Sequence, residues 1–164
     1  MQIDEAYAHL KRTLKIDTGK FYSPGEHVAL GVGKIYKNIR YPVYDEEENI
    51  FNTASGLVFV LTHECDIDGN NNRLFNTEIL INPIIDFTRF IEEQAKFGDD
   101  NSLKGFISSL SEGKVSRVIY LPPITKEYLP YGGLMYLNHI CSTNVSLLLD
   151  LKAQKPYALL QHQH

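Results

Sequence analysis

Both cysteines of this chain stand two residues after a histidine, in His63-Glu64-Cys65 and His139-Ile140-Cys141. In an extended segment residues i and i+2 face the same side, so each pair could present an imidazole and a thiolate together. Two such pairs would make a tetrahedral Cys2His2 zinc site from His63, Cys65, His139 and Cys141. The single intervening residue differs from a zinc knuckle, and the apolar surroundings of both pairs equally suit two reduced, packed thiols. The same residues allow nucleophilic chemistry: Cys65 as thiolate, His63 or His139 as its base and Asp66 as the orienting carboxylate. Neither a Gly-rich oxyanion loop nor a protease signature accompanies them. The competing reading has Cys65 packed inward, with His63 and Glu64 edging a pocket.

The loop that follows, Asp66-Ile67-Asp68-Gly69-Asn70-Asn71-Asn72, invites a divalent-cation reading. It misses the EF-hand template, because Asn71 stands where Gly is needed and Thr77 where the bidentate Glu belongs. Asp66, Asp68 and Glu78 remain as a weak oxygen site, and ordinary turn chemistry explains the same residues. A ligand pocket here would be rimmed by His63, Asp68, Arg73 and Glu78. Lys34, Lys37 and Arg40, interleaved with Tyr36 and Tyr41, could contact phosphates and stack on bases. The plainer account is a charged sheet edge that resists pairing.

These groups need elements to place them. Gly56 to Leu61 is a continuous apolar run that predicts a strand buried on both faces, delivering Thr62 to Asp66 at its end. Thr77 to Ile81 predicts its antiparallel neighbour, with Asn82-Pro83 breaking the sheet. The acidic run Asp45-Glu46-Glu47-Glu48 reads as a solvated hairpin loop. Ile3, Tyr7, Leu10 and Leu14 stripe one face of an N-terminal helix. Phe87, Phe90 and Ile91, then Leu103, Phe106, Ile107 and Leu110, mark a two-helix insertion closing at Gly113. Strands are expected at His27–Val32, Val115–Leu121 and Gly133–Leu137, and a final helix from Ser142 or Thr143 to about Lys152, burying Val145, Leu148 and Leu149.

The order of a Pro24-Gly25-Glu26 turn and strand, a long hairpin, a strand ending Val60-Leu61-Thr62 and a strand ending Asn82-Pro83-Ile84 resembles the MazF/PemK family of toxin endoribonucleases, over residues 23–86. The resemblance implies an SH3-like barrel and a role for Thr62, at the family's Ser/Thr position, in binding or cleaving RNA. The family's Arg-Pro pair leading into that strand has no match in Asn52-Thr53-Ala54-Ser55-Gly56, and Arg40-Tyr41-Pro42 lies further upstream. Cys65 and Asp66 also lack a counterpart in the family's motif.

Length and composition bound the rest. A chain of 164 residues with 43% hydrophobic residues can supply one sizeable core. A formal net charge of -4 does not favour nucleic acid. The first residues carry no apolar export signal and no apolar run approaches membrane-spanning length, so the expected compartment is the cytoplasm, with the thiols reduced. The expectation is a single α+β domain: a small, mostly antiparallel SH3-like barrel at 21–85 and 114–141, an N-terminal helix at 1–18, a helical insertion at 86–113 and a C-terminal helix at 142–160. The expected function is a binding module of a bacterial toxin or defence system without robust ribonuclease activity, acting on a protein partner or as a homo-oligomer. A zinc-dependent hydrolase or nuclease and an RNA-binding adaptor are the alternatives.

Overall fold

A computed structural model of the chain describes residues 1–16, 22–24, 32–67, 77–149 and 157–159. In chain order its elements are α1 (Ile3–Thr13), β1 (Tyr22–Pro24), β2 (Lys34–Asp45), β3 (Ile50–Val60), α2 (Glu64–Ile67), β4 (Glu78–Asp86), α3 (Phe87–Phe97), α4 (Asp100–Ser111), β5 (Val118–Leu121), β6 (Gly133–Tyr136), β7 (Cys141–Asn144), α5 (Ser146–Leu149) and β8 (Tyr157–Leu159). The fold is α+β with antiparallel pairing. It divides into two compact units, a helical one of Met1–Phe21 and Ile85–Asn138 and a sheet one of Tyr22–Ile84 and His139–His164.

The helical unit follows directly from its periodic sequences. Ala6 and Leu10 of α1, Phe87, Phe90 and Ile91 of α3, and Leu103, Ile107 and Leu110 of α4 are buried in one cluster with Val118 and Leu134. Phe87 lies edge-on to Tyr120 at 5.6 Å. Both insertion helices begin at aspartates whose carboxylates satisfy otherwise orphaned amides. Asp86 accepts from Thr88 N at 2.7 Å, and Asp99 from Ser102 N at 2.7 Å. The hairpin β5–β6 belongs to this unit, pairing from Val118 opposite Tyr136 to Leu121 opposite Gly133.

In the sheet unit the backbone ladder runs β1-β8-β2-β3-β4-β7, all antiparallel. Ile39, Val58, Val60, Ile79 and Ile81 form its core with Tyr36 and Ile67. Of the apolar run expected to be buried throughout, Val58, Phe59 and Val60 are buried, whereas Gly56, Leu57 and Leu61 are half-buried. A bulge between Tyr36 and Ile39 sets two residues, Lys37 and Asn38, against the single Leu57 of β3, Asn38 at φ 59°. A short polar side chain tolerates that left-handed conformation and the extra residue bends the strand. The sheet curls far enough for Thr143 Oγ1 on β7 to donate to the Arg40 carbonyl on β2 at 3.3 Å. No ladder joins β7 to β2 among the described residues, so the sheet is not closed into a barrel.

Three local expectations need correction. The chain stays extended through Asn82-Pro83 to Asp86; Pro83 ends only the pairing with β3, opposite Val58. Residues 141–144 form a strand instead of opening a helix, because β4 offers an edge on which Cys141 to Asn144 pair with Ile81 to Glu78. Their alternating burial has period two, and the helix begins only at Ser146, where the Asn144 side chain accepts from Ser146 N at 2.9 Å; α5 is described over Ser146–Leu149, and the expected end near Lys152 lies outside the described residues. Tyr157–Leu159 is likewise a strand, paired with β1 and β2. The strand expected at His27–Val32 lies almost wholly outside the described residues.

Candidate functional site at the end of strand β3

The buried half of β3 carries Thr62 to Asp66 to one end of the sheet unit. Main-chain pairing with β4 closes with Leu61 N donating to Leu80 O at 2.9 Å. Thr62 Oγ1 then accepts from Leu80 N at 2.7 Å, so a side chain continues the ladder by one bond. The chain turns at once into α2. His63 shapes that turn twice: its carbonyl accepts from Asp66 N at 3.0 Å, and its ring Nδ1 accepts from Cys65 N at 3.2 Å. Ile67, buried in the core cluster, anchors the turn from below.

This arrangement decides what the histidine can do. A main-chain amide is always a donor, so Nδ1 supplies a lone pair to it, and the neutral ring carries its proton on Nε2. His63 is exposed, and in that tautomer its Nε2–H is a donor, suited to hydrogen-bonding a ligand. Cys65 lies in the helical turn of α2 and His63 just before it, so the two do not form the extended same-side pair that their spacing suggested.

Cys65 is exposed and Asp66 half-buried; Glu78 is exposed at the start of β4. His139 is exposed, while Cys141, opposite Ile81, is half-buried and its thiol pKa is pushed up by desolvation. Neither cysteine is joined in a disulfide. Among the described residues no three His, Cys, Asp or Glu side chains lie close enough to hold a metal ion, so the quartet His63, Cys65, His139 and Cys141 is not gathered. Asp68 and Arg73 lie outside the described residues.

The candidate nucleic-acid patch is also redistributed. Lys34 and Lys37 are half-buried and Arg40 exposed along β2. Tyr36 is 5% exposed and burial pushes its hydroxyl up to about 12, so its ring belongs to the core and offers no stacking face. In the helical unit, residue spacing did not reveal a cavity of about 220 Å³ between Phe90, Gln94, Asp99, Ser102, Phe106 and Tyr136. Phe90 and Phe106 were legible as helix-face positions; the opening between them depends on how α3 and α4 splay.

Comparison with known proteins finds no match: no family model, no curated protein and no solved structure resembles the chain. Among the described residues no helix is long and apolar enough to cross a membrane.

Proposed function

We propose that this chain is a binding module of a bacterial toxin or defence system, built on an open, curled sheet related to the MazF-like barrel, whose rim at the end of β3 holds a ligand without cleaving it. The observation that carries the reading is the engagement of Thr62 Oγ1 and His63 Nδ1 by the amides of Leu80 and Cys65. A nuclease base needs an accessible lone pair beside the proton it removes. Here that lone pair holds the backbone, and the Nε2–H can only donate while the ring is neutral. Asn52 to Gly56, where the toxin family carries its arginine, supplies no cation. The curl that brings Thr143 onto Arg40 supports the barrel ancestry.

Less supports the alternatives. The zinc hydrolase needs the His-x-Cys pairs to converge, and the RNA adaptor loses Tyr36 as a stacking platform. The test is an RNA cleavage assay on wild type, Thr62→Ala and Thr62→Ser, with metal content measured on protein carrying no polyhistidine tag. The expected result is cleavage at buffer background and zinc well below one equivalent. Robust cleavage abolished by Thr62→Ala but retained by Thr62→Ser would overturn the reading.

A further inference from the structure

Among the described residues strand β3 is paired along nearly the whole of one edge and only in part along the other. β2 pairs with it from Ile50 to Phe59, whereas β4 covers the opposite edge only at Val58 to Val60. From Ile50 to Ala54 that second edge has no strand beside it among the described residues. The ribbon it belongs to is two strands wide with both faces in solvent, an arrangement that is marginal in water without a third strand. Its apolar side chains are exposed on both sides. Tyr44 and Phe51 pair at 5.2 Å on one face, 47% and 75% exposed, and Val43 and Ile50 sit on the other at 42% and 45%.

The two edges differ in how they resist pairing. β2 carries Lys34, Lys37, Arg40 and Asp45, and Pro42 removes a donor from it. Such charges and prolines are the usual devices that keep an edge from recruiting strands. The segment Ile50-Phe51-Asn52-Thr53-Ala54-Ser55-Gly56-Leu57 has no charge and no proline. An edge without these devices is built to be paired.

We infer that the outer half of the β2–β3 hairpin is a homodimerisation ribbon, in which β3 of one copy pairs antiparallel with β3 of a second about a twofold axis at Asn52. A neutral strand can oppose itself with no like charges facing each other. With Asn52 on the axis, Phe51 faces Thr53 and Ile50 faces Ala54 of the other copy, aromatic and apolar contacts that stabilise cross-strand pairs. The same register sets the acidic turn at the level of the other copy's Ser55, whose β2 partner is Arg40. Glu46, Glu47 and Glu48 and Arg40 are all exposed. Charge complementarity thus favours a second copy in this register, and pairing stops short of the edge that β4 occupies. The inference is independent of what the β3-end rim binds.

Sedimentation velocity from low to high micromolar protein tests it. The expected result is a monomer–dimer equilibrium weakened about tenfold or more by Asn52→Lys, which faces two like charges across the axis. Arg40→Glu should also weaken it, and Arg40→Glu combined with Glu48→Arg should recover it. Circular dichroism and thermal unfolding of each variant keep loss of dimer distinct from loss of fold. A monomer throughout the range, or a dimer unmoved by Asn52→Lys and by the charge exchange, would overturn the inference.

Discussion

Thr62 Oγ1 accepts the Leu80 amide at 2.7 Å, one step beyond the Leu61-to-Leu80 main-chain bond. Leu80 thereby keeps both its amide and its carbonyl satisfied at the point where the chain leaves the sheet. The candidate catalytic threonine thus has a mechanical task, closing the β3–β4 ladder so that α2 can begin.

Thr62→Ala removes that acceptor and should cost about 1–2 kcal/mol, typical of a lost hydrogen bond with its partner left behind. Thr62→Ser should recover most of it by keeping the oxygen. Urea unfolding of the three proteins measures the difference. Equal stability of the alanine and serine variants would remove the ladder-closing role.

The two cysteines should separate in alkylation. Cys65 is exposed, whereas Cys141 is half-buried with its thiol pKa raised by desolvation, so less thiolate is present at any given pH. Mass spectrometry after a brief iodoacetamide pulse should find Cys65 modified first, with Cys141 following only at more alkaline pH or on unfolding. Faster labelling of Cys141 would contradict this order.

Gly132 and Gly113 both have positive φ, 90° and 68°, but only Gly132 is crowded. A Cβ on it would lie 2.3 Å from the Leu121 carbonyl oxygen, which is backbone and cannot step aside. Gly113→Ala meets nothing within 4 Å and should cost about 1–2 kcal/mol from the left-handed conformation alone. Gly132→Ala should cost distinctly more and lower the melting temperature further. Comparable melting temperatures would argue against this packing of Gly132.

Acid should weaken the helical unit through its carboxylates. Asp99 is held below the usual carboxylate range first by the Ser102 amide, Asp100 by the chain's terminal ammonium and Glu112 by Lys114. A depressed native pKa means that the unfolded chain binds protons first as pH falls. The stabilisation is therefore complete above about pH 4–5 and is lost as pH drops through the lower native values. Asp99→Asn should flatten the acid limb of stability against pH; an unchanged limb would show that the cap contributes nothing there.

Much of the secondary structure was legible. The stripes of α1, α3 and α4, the acidic hairpin loop and the buried end of β3 all follow from local periodicity and charge pattern. The errors lie where a partner strand overrode local preference. Cys141 to Asn144 pair because Glu78 to Ile81 offer an edge, although Val145, Leu148 and Leu149 carry helical spacing in the sequence. Tyr36 looked like a surface aromatic between lysines and is in the core, because the bulge after it resets which residues face inward.

The site divides in the same way. The sequence by itself determined that Thr62, His63, Cys65 and Asp66 emerge together from the end of a buried strand, because a continuous apolar run can end in polar residues only where it leaves the core. It could not determine which atoms remain available. Whether His63 faces a ligand with a lone pair or with a proton depends on the amide it meets, and whether two His-x-Cys pairs converge depends on contacts between residues about eighty apart in sequence. Only the tertiary structure decided these points, because the turn of α2 brings the Cys65 amide onto Nδ1 and pairing with β4 fixes Cys141 opposite Ile81.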